Sequence, residues 1–141
     1  MKEKVLVSAC LVGENCKYNG KNNKNEKIIE FLKDKEVILI CPEVMGGLST
    51  PRLKSEILGN VVINEKGEDV STYFAKGAQI ALKKVIDNNI KVAILKEKSP
   101  SCGSKKVYNG KFEGVLIEGK GVFASKLSEL GVKILSEEDF V

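Results

Sequence analysis

Short apolar runs alternate along this chain with stretches of helical period, and their order predicts most of its elements. Val5 to Val7 reads as a strand, followed by a polar, glycine-containing loop from Gly13 to Lys24. Asn25 is a suitable N-cap, and Ile28, Ile29 and Leu32 fall on one helical face flanked by Phe31, which predicts a helix over about Glu26 to Lys33. After a turn at Asp34-Lys35, the continuous run Val37 to Ile40 predicts a strand covered on both faces. Ser55 to Val70 alternates weakly and carries a turn signal at Asn64 to Gly67, which predicts a small hairpin. Ser71 is expected to cap the longest helix, in which Phe74, Ala78, Ala81, Leu82, Val85 and Ile86 recur at helical spacing until Asn88-Asn89. Val92 to Leu95 predicts another buried strand. A second hairpin is expected where Asn109-Gly110 stands between Val107 and Phe112, because both turn residues tolerate positive φ. Phe123, Leu127 and Leu130 mark a last helix closed by Gly131 at C′, and Val132 to Leu135 a last strand.

This order is an α/β pattern: a Rossmann-like parallel sheet flanked by helices, with two small β-hairpins, expected as a single domain over residues 1–141. Ligands of such open sheets sit beyond the carboxyl ends of the strands. Cys10 follows the first apolar run, Cys41 follows the second, and Cys102 lies in the loop that leaves Leu95. Three thiols are therefore expected at one sheet edge. The tetrapeptide YNGK occurs twice, at Tyr18 to Lys21 and at Tyr108 to Lys111. The flanking residues differ, so shared turn chemistry accounts for it better than an internal repeat.

Composition narrows the chemistry. A chain of 141 residues can bury a core without disulfides or metal. No apolar run approaches the roughly 20 residues that span a bilayer, and the N-terminal apolar run is too short for a secretory signal. No membrane segment is predicted, and the expected location is cytoplasmic. The net charge of +4 is scattered, and the basic excess from Lys17 to Lys27 is Asn-rich without interleaved aromatics. That pattern describes a solvated surface and argues against nucleic acid, while nothing in the sequence points to a protein partner. Four cysteines in a reducing compartment, with no Cys-x-x-Cys among them, read as free, metal-bound or catalytic thiols. The absence of histidine excludes Cys–His dyads, His-containing zinc sites and facial-triad iron. Any metal must rely on thiolates and oxygens, and widely spaced soft ligands suit an iron–sulfur cluster. For any one of these cysteines the alternative is a small buried hydrophobe at a strand end.

Three segments, VSACLVGENCKYNG, CPEVMGGLSTPR and KSPSCGSKKVYNGKFEG, resemble in sequence and in order the signature blocks of the thiouracil desulfidase (TudS-like, YbbK-like) family, once known as a domain of unknown function. The resemblance covers nearly the whole chain. It implies a [4Fe-4S] cluster with three cysteine ligands, mapped onto Cys10, Cys41 and Cys102, whose remaining iron takes sulfur from a thiolated pyrimidine. Cys16 matches a position that is apolar in many relatives and is left out of the ligand set. The chain departs from the family's common Arg-Tyr-Asp-Gly at Lys17-Tyr18-Asn19-Gly20, which loses a carboxylate there.

Beside the ligands, Glu43 resembles the family's essential acid and could exchange a proton with water or with a ring nitrogen; its structural alternative is capping. Ser101, and after it Ser99, could hydrogen-bond substrate or cluster sulfide, or simply cap turns. Arg52 could steer an anionic substrate or secure its loop through a carboxylate. Gly46 and Gly47 could bring backbone amides close to the cluster, or make a plain turn. The expected function is an iron–sulfur-dependent, non-redox removal of sulfur from thiolated nucleobases such as thiouracil, or from a related thioamide. The rival readings are a cluster or sulfide carrier or sensor without turnover, and a zinc-stabilised module.

Overall fold

Val5, Leu6 and Val7 are fully buried, as befits a strand with a neighbour on each side and a layer on each face. The structure, a computed structural model, describes residues 2–141. Its centre is a parallel sheet of β1 (Lys4–Ser8), β2 (Glu36–Ile40), β5 (Val92–Leu95) and β8 (Lys133–Ser136), in the order β2-β1-β5-β8. Val5 pairs with Val37 on one side and Val92 on the other, and Ile94 pairs with Leu135. Helices α3 (Ser71–Asp87) and α4 (Val122–Glu129) cover one face, packing Ala78, Ala81, Phe123 and Leu127 onto Leu6, Ala93 and Leu95. On the other face, Ile28 of α1 (Glu26–Phe31), with Leu11 and Leu32, covers Val5, Val7 and Ile94. Among the described residues no helix is long and apolar enough to cross a membrane.

After β1 the chain goes outward to β2, then returns past β1 to place β5 on its other side. This reversal opens a crevice at the carboxyl ends of β1 and β5, the usual ligand position in open parallel sheets.

Several local expectations hold and several shift. Asn25 caps α1, its side chain accepting from the Ile28 amide at 3.0 Å, and Gly131 adopts φ 76° just past α4. The first helix tightens into a 3-10 turn over Leu32–Asp34. β2 is an edge strand, with Val37 37% exposed, because only β1 pairs with it. Ile86 is 62% exposed and leaves the apolar stripe of α3. Ser71 does not cap its helix; its hydroxyl accepts from the Val62 amide at 2.8 Å and ties α3 to β4 (Val61–Asn64). The first hairpin, β3 (Ser55–Leu58) with β4, turns at Gly59-Asn60, while Asn64–Gly67 forms the next turn along. The second hairpin, β6 (Lys106–Tyr108) with β7 (Leu116–Glu118), has a wide loop in place of a two-residue Asn-Gly turn. The cause is non-local: the amides of Gly110 and Phe112 bond the buried carboxylate of Glu56 at 3.0 and 3.1 Å.

The glycines of the second block have their own task. Short helix α2 (Pro42–Met45) leads into Gly46, which lies against the α3 backbone at Tyr73, while Gly77 of α3 lies against the Pro42 carbonyl. A Cβ on either would overlap backbone atoms. Gly77→Ala is expected to destabilise the fold by about 1–3 kcal/mol, seen as a lower denaturation midpoint at unchanged m-value.

Candidate active site

Three strand ends deliver three cysteines to one cavity of about 490 Å³. Cys10 sits in the 3-10 turn Ala9–Val12 that follows β1, and Asn23 fastens it, with its amide on the Cys10 carbonyl at 2.9 Å and its Nδ2 on Sγ at 3.5 Å. Cys41 follows β2 and occupies the N-cap position of α2. Cys102 lies in the loop after β5 and is 4% exposed. All three line the cavity, together with Cys16 from the first loop.

The Cys102 loop is shaped by donors aimed at fixed acceptors. Ser99 Oγ accepts from the amides of Ser101 and Cys102, both at 3.1 Å, so this hydroxyl acts as a turn former as well as lining the cavity. The first turn of α4 grips the same loop, with the Val122 amide on the Pro100 carbonyl at 2.8 Å and those of Phe123 and Ala124 on Ser101 at 3.0 Å. Glu97, 2% exposed, accepts from the amides of Lys98, Ser104, Lys105 and Lys106 and from the Ser104 hydroxyl. Burial works against its ionisation, yet these donors outweigh it and hold the carboxyl below its ordinary range. Because the folded value is the lower one, the stabilisation is complete above the unfolded value and is lost as pH falls through the folded value. Glu97→Gln is expected to cost about 2 kcal/mol at neutral pH, with the gap to the parent closing in thermal melts at acidic pH.

Glu43 stands on α2 at the cavity wall. Its Oε1 accepts from Arg52 Nε at 3.1 Å and its Oε2 from Ser101 Oγ at 3.2 Å. Arg52 spends its remaining donors on the Ser49 carbonyl, Thr50 Oγ1 and the Cys16 carbonyl, the last at 2.9 Å. Its guanidinium thus secures Glu43 and two loops, and the residue also lines the cavity. Ser101 is buried behind Glu43 and reaches the cavity through that carboxylate. Gly46 and Gly47 do not line the cavity; their amides donate to the Pro42 and Val44 carbonyls within the α2 turn. The structure therefore brings together Cys10, Cys41, Cys102, Glu43, Arg52, Ser99 and Ser101, and leaves the two glycines at the helix contact.

The four thiols differ in electrostatics. Burial raises Cys10 and Cys102, the latter against a hydrogen bond from Ser8. A hydrogen bond between Cys16 and Cys41 raises the first and lowers the second, and the Val44 amide and Arg52 also favour the Cys41 thiolate. A bound metal ionises coordinating thiols outright, so raised values are compatible with ligation. Among the described residues no three Cys, Asp or Glu side chains close around a point that one ion could fill. Three soft donors spread around an open cavity fit a larger group such as an iron–sulfur cluster.

Cavity residues that the sequence did not single out include Tyr18, Lys54, Glu56, Tyr108 and Phe112, and Cys16, left out of the ligand set, also lines it. The repeated YNGK was the available signal. In both copies the Asn side chain accepts from the Lys amide two residues on, at 3.0 Å, and the Gly has positive φ. The same turn is used twice, and each copy brings its Tyr to the cavity.

The 2-thiouracil desulfurase family model matches residues 5–139. Protein YbbK of Bacillus subtilis (strain 168) is 40% identical over 145 residues, covering 96% of each chain. The solved structure of the [4Fe-4S]-dependent thiouracil desulfidase TudS superposes with a TM-score of 0.92 at 41% identity, covering 98% of this chain and 93% of that one. All four cavity cysteines and Glu43 fall inside the matched span, and the chain belongs to the 2-thiouracil desulfurase family.

Proposed function

We propose that this protein hydrolyses the thiocarbonyl of thiolated nucleobases such as thiouracil, with a [4Fe-4S] cluster held by Cys10, Cys41 and Cys102 and without net redox change. The observation that carries this reading is the meeting of three strand-end thiols with one ion-paired carboxylate, Glu43, on a single cavity. When bound, the cluster supplies a soft, Lewis-acidic iron for the thiocarbonyl sulfur. Overall, water replaces sulfur at carbon and the sulfur leaves as hydrogen sulfide, so no electrons are required.

The chain's own residues handle protons and position. Glu43 takes a proton from the attacking water or returns one to the ring nitrogen. Arg52 and Ser101 each donate to one of its oxygens and fix the orientation of the carboxylate at the cavity wall. Ser99 and Glu97 keep the Cys102 loop in shape, which fixes one ligand relative to the other two. A reducing cytoplasm is the compartment in which such thiols persist. A carrier or sensor of cluster or sulfide has no use for an acid-base group at this position, and Glu43 therefore favours an enzyme.

The test is anaerobic reconstitution with iron and sulfide, followed by incubation with 2- or 4-thiouracil. Expected is one sulfide released per uracil formed, at a rate indifferent to added reductant. Turnover that consumes a reductant would contradict the non-redox step. An intact cluster with no turnover would favour the carrier or sensor.

A further inference from the structure

A planar heterocycle is held most effectively by a flat ring, and the cavity offers aromatic side chains at Tyr18, Tyr108 and Phe112. Tyr18 is already engaged, with the ammonium groups of Lys17 and Lys54 lying 5.8 and 5.5 Å from its ring centroid. Phe112 is held differently. Its φ of 53° is left-handed, a region that bulky residues avoid. Of the other two non-glycine residues in that region among the described residues, Asn89 ends a helix and belongs to a type that tolerates it, while Lys98 also lines the cavity.

Both cavity residues in this strained state are clamped by a buried glutamate: Lys98 by Glu97 at 3.2 Å, and Phe112 by Glu56 at 3.1 Å. Glu56 also binds the Gly110 amide at 3.0 Å, and Gly110 packs so closely on β3 that a Cβ would overlap the Ile57 carbonyl. A loop that only joined β6 to β7 would gain by carrying Gly or Asn at position 112, as it does carry Gly at 110 and 114, both at positive φ. Keeping Phe there strains the backbone, and the return is an aromatic residue on the cavity wall.

We infer that Phe112 is the ring-stacking, specificity-determining residue for the substrate's heterocycle, and that Glu56 is the positioning residue that holds it there. This rests on the proposed function, because it takes the substrate to be a planar thiolated base. Truncating a base–aromatic stack typically weakens binding by roughly 10- to 100-fold. Phe112→Leu and Phe112→Gly are each expected to raise the Kd for uracil, the sulfur-free product, by about that factor in the reconstituted holoprotein. The KM for 2-thiouracil should rise in parallel with kcat little changed, and Phe112→Tyr should restore both.

Phe112→Gly separates this role from a structural one. Glycine relieves the strain at φ 53°, so its melting temperature and iron content should match the parent while binding is lost. Glu56→Gln should raise KM in the same direction by a smaller factor, again without moving kcat. Parental Kd and KM in Phe112→Gly would overturn the inference, as would lost stability with unchanged binding. Turnover and binding keep the two readings apart. Parent protein that binds uracil through Phe112 but releases no sulfide refutes the desulfidase and leaves the stacking role standing; parent protein that binds no uracil overturns the stacking role.

Discussion

Cys10→Ser, Cys41→Ser and Cys102→Ser should each abolish stable cluster binding, while Cys16→Ser should retain most of it. The three proposed ligands come from separate strand ends, after β1, after β2 and after β5, so each holds the cluster from a different side. The serine hydroxyl is a poor match for a soft iron site. Cys16 differs in placement, because it lies in the first loop and its carbonyl accepts from Arg52 and Cys41. Replacing it removes a neighbour of a ligand and leaves the ligands themselves. Iron and acid-labile sulfide per chain, with the thiolate-to-iron charge-transfer absorbance, report the outcome, and circular dichroism checks that each variant is folded. Full cluster in Cys41→Ser, or complete loss in Cys16→Ser, would mean that the triad is wrongly chosen.

Glu43→Gln should keep the cluster and lower kcat by roughly 10²–10⁴-fold, the range typical for removal of a general acid-base group. The substitution is gentle on structure. The amide oxygen can still accept from Arg52 Nε, and Arg52 keeps its bonds to Ser49, Thr50 and Cys16. What disappears is the capacity to exchange a proton at the cavity wall. Ser101→Ala, which removes only one of the two donors that aim the carboxylate, should be milder. Parental turnover in Glu43→Gln would remove this residue from the chemistry.

Local pattern accounted for the parts of the fold that depend on neighbours in sequence. Val5 to Val7 and Val92 to Leu95 are continuous apolar runs because each is covered on both faces, and such runs announce themselves without any partner. Asn25 and Gly131 mark helix ends through interactions spanning three residues or fewer. The β2 run is equally apolar, yet it lies at the edge of the sheet, since strand order is a property of the crossovers and not of the strand itself. The Asn-Gly at Asn109-Gly110 kept its local turn and lost its expected role as a tight hairpin connector, because Glu56, more than fifty positions earlier, captures the loop's amides.

The same division runs through the candidate site. That three cysteines would meet near strand ends followed from the sequence by itself, because strand ends in a parallel sheet share one edge, whereas Glu43 and Arg52 were implied by the likeness of their segment to a family block. Which groups face one another was decided only in three dimensions. Glu43 lies between Arg52 and Ser101, the Cys41 thiol meets the Cys16 carbonyl, and Gly46 meets α3 instead of the cavity. Those choices depend on how two irregular loops and a hairpin pack against the sheet. Such packing is set by a few long-range hydrogen bonds to buried carboxylates and by the volume left where a Cβ is missing, and neither leaves a periodic trace along the chain.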